Sequence, residues 1–206
     1  MRGVSYAVQG LGRLRGSRRN EPLRADARDN RARILTAAEE VFGRSPGAST
    51  EDVARLAEVG IATVFRHFPT KMELLEAVLT LRLERLRDRA IELADAGDPG
   101  EAFFGFFSQV VSEAASKLAI ADALSSAGSA AGADAKNAGT GLRRAFGDLL
   151  DRAKQSGAVR ADAELPEVYA LLIGASRGAT AHGLEPAVRD RMLALVYDGL
   201  RPGRRR

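Results

Sequence analysis

Residues 49–71 read STEDVARLAEVGIATVFRHFPTK, and the fold turns on how this stretch is parsed. Ser49 and Asp52 have the S-x-x-D spacing of a capping box, in which side chain and backbone satisfy each other's free donors, so a helix begins near Thr50. Val53, Leu56 and Ala57 give that helix an apolar stripe, and a turn follows at Glu58, Val59 and Gly60. Ile61, Val64 and Phe68 then recur at helical spacing on one face of a second helix, while Thr63, Phe65, Arg66 and His67 point elsewhere. Pro69 stops that helix, and Thr70 with Glu73 makes another capping box that opens a third. A helix of about seven residues is not stable in water by itself. It has to be held by neighbours, and it leaves a polar, hydrogen-bonding face bare. Two short helices, a tight turn and such a face are the parts of a helix-turn-helix, whose second helix enters the DNA major groove.

Residues 53–78, VARLAEVGIATVFRHFPTKMELLEAV, resemble the signature of TetR-type transcriptional regulators, roughly I-A-x-x-A-G-V-x-x-G-T-[LV]-Y-x-H-F-x-[ST]-K-x-x-L. The resemblance combines apolar period, turn, aromatic–x–His–Phe and lysine in one register. It is strong over residues 25–78 and generic beyond. Three positions depart from the pattern. Glu58 stands where the family usually has the turn glycine, and a left-handed backbone there would cost a non-glycine residue about 1 kcal/mol. Ala62 replaces a common glycine and should firm the start of the second helix. Phe65 replaces the usual tyrosine, whose hydroxyl in relatives reaches a phosphate, so that contact is absent here.

Bulk properties bound the remaining options. The chain has 206 residues, enough for one generous domain or two small ones sharing a core, with 45% hydrophobic and 28% charged residues. It contains no cysteine, which excludes disulfides and thiolate chemistry and fits a reducing cytosol. No apolar run approaches the ~20 residues that span a bilayer, and the basic N-terminus lacks the apolar segment of a secretory signal. A cytoplasmic protein with no membrane partner is the expectation. The net charge of +4 and pI near 9.8 suit nucleic-acid binding, and the excess is concentrated at the two ends.

Four segments are expected: a disordered basic arm (1–24), a helix-turn-helix domain (25–71), a helical ligand-binding and dimerisation domain (72–201) and a basic tail (202–206). The class is all-α. The arm is either inert or a phosphate-contacting extension. Residues 26–42 form a first helix whose Ile34, Leu35, Ala38, Val41 and Phe42 lie under the helix-turn-helix. From Thr70 a long amphipathic helix runs to about residue 96. The resemblance makes it the link between head and body, with its direction carrying the switch.

Asp98-Pro99-Gly100-Glu101 has cap, first-turn proline and acid in order, so another helix starts there. That helix carries Phe103, Phe104, Phe106 and Phe107, half of the chain's eight phenylalanines. They are core, pocket lining or both. A short helix is expected over 118–124, a mobile Ala/Gly/Ser loop over 125–140 and a helix over 142–155, then two more over 165–183 and 186–200. Gly174 and Gly178 give the first of these last two a face of small residues, matched on the second by a stripe that includes Leu195. Internal glycines cost a helix roughly 1 kcal/mol each, so close backbone approach is the expected compensation. The faces pack either within one chain or against a second copy as a four-helix bundle, and the resemblance favours the homodimer.

The residues expected on double-stranded DNA are Ser49 and Thr50, whose helix start offers free N–H groups, Gly60 and Ile61, which allow close approach, and Thr63, Phe65, Arg66 and His67. The resemblance adds Lys71 as a phosphate contact. It implies a homodimeric repressor released from a palindromic operator by a small, largely apolar effector held near Phe103, Phe107, Phe146 and Tyr169. Two other readings stay open: a ligand-independent architectural DNA-binding protein, and an adaptor that kept the fold and lost DNA binding. An enzyme is not expected. His67 and His182 lack metal-ligand spacing, Gly139-Thr140-Gly141 lacks a third phosphate-loop glycine, and no cofactor or metal is implied.

Overall fold

The structure, a computed structural model, describes residues 20–203 apart from 46, 96 and 127–131. All but the last residues of the expected basic arm, and the end of the tail, lie outside the described residues. Among the described residues there are helices and no strands: α1 (Asn20–Arg44), α2 (Thr50–Leu56), α3 (Ile61–His67), α4 (Lys71–Asp95), α5 (Pro99–Ser112), α6 (Ala114–Ser126), α7 (Ala133–Gln155), α8 (Leu165–Ala181) and α9 (Pro186–Leu200).

Local chemistry sets the element starts much as the sequence implies. Ser49 and Asp52 close a reciprocal capping box at α2. At α4 the Glu73 N–H donates to Thr70 Oγ1 at 3.1 Å, and at α5 the Glu101 N–H donates to Asp98 Oδ1 at 2.8 Å, with Pro99 in the first turn. These bonds satisfy donors that a helix start otherwise leaves free.

Two apolar cores share one helix. The first joins α1, α2 and α3 through Ile34, Phe42, Val53, Val64 and Phe68, and takes in Leu74 and Val78 from α4 and Ile120 and Leu124 from α6. The second is built on Phe103, Phe106 and Phe107 of α5, Phe146 and Leu149 of α7, and residues of α8 and α9. Leu83, midway along α4, packs against both. A head/body boundary at 71/72 therefore cuts through the first core. The head is completed by the start of α4 and by a helix from much later in the chain.

Three expected boundaries differ. Helix α1 begins at Asn20 rather than near Asp26, so the last residues assigned to the disordered arm are helical. Helix α6 extends on both sides of 118–124. Helix α7 begins at Ala133, where a loop was expected through residue 140. Its small residues are the reason: Ala135 and Ala138 are buried, and a Cβ at Gly141 would lie 3.2 Å from Cδ of Arg87 on α4. A composition that reads as flexible is a close helix contact, and tertiary packing outweighs weak local propensity.

Candidate nucleic-acid interface and body cavity

The turn between α2 and α3 is held from three sides. Glu58 adopts a left-handed backbone, φ 53°. Its N–H donates to the Arg55 carbonyl at 3.2 Å and the Val59 N–H to the Ala54 carbonyl at 3.0 Å, the paired bonds of a Schellman helix end. Arg33, reaching over from α1, donates through Nη2 to the Ala57 carbonyl at 2.6 Å and to the Glu58 carbonyl at 3.2 Å. This clamp on the turn has no local sequence signal, because its partners are 24 and 25 residues away. It accounts for a strained residue being kept in place.

Helix α3 is anchored by one side. Val64 is fully buried and Phe68 nearly so, with the Arg31 guanidinium 5.0 Å from the Phe68 ring centroid. Phe65 and Arg66 are exposed and Thr63, His67 and Ile61 partly so. Phe65 keeps 42% of its surface in water, unusual for a phenylalanine beside a packed core. Gly60 caps the helix with an extended backbone, φ −68° and ψ 145°, and a side chain there would meet no atom within 4 Å. Open space, not backbone conformation, is what this glycine provides.

The flanking residues are already engaged. Ser49 Oγ accepts from the Asp52 N–H at 3.2 Å and donates to Asp52 Oδ2 at 2.8 Å. That bond, with help from Arg55, holds the Asp52 carboxyl below its usual range. Thr50 is buried as a whole residue. Lys71 Nζ donates to the Gly47 carbonyl at 3.1 Å and lies 5.6 Å from the Phe42 ring centroid. That bond ties the start of α4 to the loop that precedes α2.

In the body, a cavity of about 230 Å³ lies among α4, α5, α6, α7 and α8. Of the four residues proposed to hold an effector, Phe146 and Tyr169 line this cavity and Phe103 and Phe107 do not; Phe106 and Val110 are on its wall. Phe107 instead packs edge-on to Tyr197 at 5.6 Å, and Phe103 lies against Phe104 at 5.2 Å. Tyr197 closes that side by donating to the Phe104 carbonyl at 3.1 Å and sharing a 2.6 Å hydrogen bond with Ser108. Burial raises the phenols of Tyr169 and Tyr197 above their ordinary pKa. Two polar residues on the cavity wall escaped the sequence reading: Lys117 and Ser176. Burial first of all, opposed by Glu113 and reinforced by Arg82, pushes the Lys117 ammonium down to about 8.

Lys117 also borders a polar cleft next to the cavity, where Arg82 and Arg85 of α4 meet Glu39 of α1. Arg82 is 12% exposed; its Nε lies 3.4 Å from Glu39 Oε1 and its Nη2 donates to the Glu39 carbonyl at 2.9 Å. Head and body are thus tied by an ion pair at the edge of the cavity.

At the far end, α8 and α9 leave an apolar face uncovered. Leu195 is 76% exposed and Leu171 45%. Side chains placed at Gly174, Gly178 or Gly199 would meet nothing within 4 Å, so the close approach expected of these glycines is not made within one chain. Among the described residues no cluster of three or more His, Cys, Asp or Glu could hold a metal ion, and no helix is long and apolar enough to cross a membrane.

A helix-turn-helix head on an all-helical body that shares its fourth helix is the architecture of a bacterial DNA-binding regulator. Residues 34–78 match the model of bacterial regulatory proteins of the tetR family, and residues 98–202 that of the SbtR-like transcriptional regulator C-terminal domain. A crystal structure of a TetR transcription regulatory protein from Mycobacterium vanbaalenii is 37% identical, with a TM-score of 0.71 over 88% of this chain and 100% of that one. Two curated helix-turn-helix regulators are similar over part of this chain. One, from Staphylococcus aureus, is 32% identical over 31% of this chain and 35% of its own length. The other, from Pseudomonas putida, is 43% identical over 28% of this chain and 45% of its own length. The chain therefore spans less than half the length of the curated relatives it matches. It belongs to the TetR family of transcriptional regulators, and its head is that family's DNA-binding domain.

Proposed function

We propose that the protein is a homodimeric repressor that reads a palindromic operator and leaves it when a small, largely apolar molecule occupies the body. The observation that carries this reading is the exposed face of α3. Phe65 stands in solvent between Thr63 and the Arg66–His67 pair, on a helix pinned from behind by Val64 and Phe68. Such a face offers a major groove hydrogen-bond donors together with an apolar surface for a thymine methyl. Lys71, with the helix start at Ser49 and Thr50, would lie along the phosphates, and Gly60 and Ile61 leave room for approach.

The uncovered stripe of α8 and α9 supports the dimer. Exposed leucines around glycines with open space above them suit two copies packing as a four-helix bundle. The body cavity supports effector control over the architectural reading, which has no use for it. To move the operator-bound fraction from 99:1 to 1:99, the effector needs about 5.5 kcal/mol of differential affinity between the two states.

Selection from a random DNA pool at a fixed salt concentration tests the proposal. A palindrome with half-sites about one helical turn apart is the expected result. No consensus, with binding lost steeply in salt, would favour the architectural reading, and no binding at all would favour the adaptor.

A further inference from the structure

We propose that the body cavity takes a small apolar carboxylic acid, its tail among Phe106, Phe146 and Leu172 and its carboxylate on Lys117 Nζ and Ser176 Oγ. The inference rests on the reading of the body as the effector-binding part. Lys117 Nζ and Ser176 Oγ are both buried and both without a hydrogen-bond partner among the described residues, and both residues belong to the wall of this cavity, whose open surface is apolar throughout. Ser176 is 4% exposed.

A serine or threonine hydroxyl inside a helix usually bonds to the carbonyl four residues back. Thr80 and Thr140 do so here, each at 2.9 Å. Ser176 has no such bond. Leaving a buried donor unmatched is costly, more so for a cation, so the two groups together mark the place of a missing acceptor. An ammonium only donates and selects a negative acceptor, and a hydroxyl adds a second donor. One cation and one hydroxyl suit a singly charged carboxylate better than a doubly charged phosphate.

The charged groups around Lys117 do not fill this role. Glu113 attracts it but accepts from Gln109 Nε2 at 3.0 Å, and Glu39 is held by Arg82 and Arg85. Arg82 is a second cation near Lys117, but it lines the neighbouring polar cleft and not this cavity, and Glu39 pairs with it. With a pKa of about 8, Lys117 still carries its proton at neutral pH. Size narrows the tail. An apolar cavity of about 150 Å³ takes benzene, so one of about 230 Å³ takes on the order of ten non-hydrogen atoms.

Octanoate, 1-octanol and octylammonium are matched probes of this size, and calorimetric titration of the full chain at pH 7 compares them. Octanoate should bind about tenfold or more tighter than octanol, and octylammonium weakest, because a hydrogen bond to a charged group is worth at least that factor. Octanoate affinity should fall as pH rises above 8 and the free ammonium is lost. Lys117→Met keeps the stem and should erase the preference for octanoate while retaining octanol, which also reports an intact fold. Ser176→Ala should weaken octanoate about threefold to tenfold.

Equal binding of octanoate and octanol, a preference that survives in Lys117→Met, or no binding by any probe overturns the proposal. Tighter binding of octanol would also overturn the acid but leave the cavity as an effector site. Octanoate binding as expected without releasing the selected operator would uphold the acid and sink the effector reading.

Discussion

Among the described residues, two of the surfaces that hold apolar side chains in water differ in their surroundings. On α3, Phe65 is a single exposed ring flanked by Thr63, Arg66 and His67, and the helix behind it is firmly anchored. On α8 and α9, Leu171 and Leu195 lie beside glycines, with open space where side chains would be. Exposure alone does not separate them. The neighbours do: cations and hydroxyls suit a polyanion with an apolar edge, whereas small residues suit another helix. An exposed hydrophobe is informative only together with the chemistry around it.

The largest effect should come from Leu195→Arg. A charge buried without a partner in a helix bundle costs several kcal/mol, so dimer dissociation should rise about a hundredfold or more. Sedimentation would show it, with the head still folded by its helical signal. If the variant remains a dimer, the stripe is not the interface and the contrast between the surfaces fails.

Substitutions on the head should leave the dimer intact. Arg66→Ala should cost about 1–3 kcal/mol on the selected operator if it reads a base, and far less on random DNA. Lys71→Ala should weaken both DNAs alike and lower the salt slope by about one unit. Reversed results for the two would exchange their roles on α3 and α4.

The cavity supplies a pH test that neither surface shares. Folding lowers the Lys117 pKa from 10.5 to about 8, so between these values the unfolded chain binds more protons, and stability from this group rises with pH. The raised phenols of Tyr169 and Tyr197 act oppositely only above about 10. Lys117→Met should therefore be more stable at pH 7 and lack the rise between pH 8 and 10, as denaturant titrations would report. The smallest effect is expected at the turn. Glu58→Gly relieves a left-handed backbone and should add about 0.5–1 kcal/mol, or roughly 1–4 °C in Tm, with Arg33 still bound to both carbonyls.

The head was legible because its information is local. Ser49, Asp52, Thr70 and Glu73 act within one turn, and the Val64–Phe68 spacing fixes which side of α3 is free. Family resemblance reads the same local register. The body was less legible because α5 is buried on most sides. Its phenylalanines announce a core, but only the placement of α7 and α8 decides that Phe106 borders the cavity and Phe107 does not. The start of α7 was misread for a related reason, since alanine and glycine there act through α4 and have no strong pattern of their own. Arg33 and Lys117 look like ordinary surface cations in the sequence. Each gains its role from a partner, or from the lack of one, in a distant part of the chain.

Helix α4 has 25 residues and enters both apolar cores. Because α4 is continuous between the two cores, a change of packing around the cavity would, on the proposed reading, reach the head as rotation of this rod, alongside any shift of α6. At about 1.5 Å per residue the rod is roughly 38 Å long, so a tilt of only about 5° sweeps its far end by about 3 Å, close to the spacing of successive base pairs. If the proposed effector control holds, a ligand of about ten non-hydrogen atoms would then act on DNA through angular gain, without unfolding or large internal motion. In a symmetric pair the two sweeps would open or close the gap between reading helices by up to twice that distance.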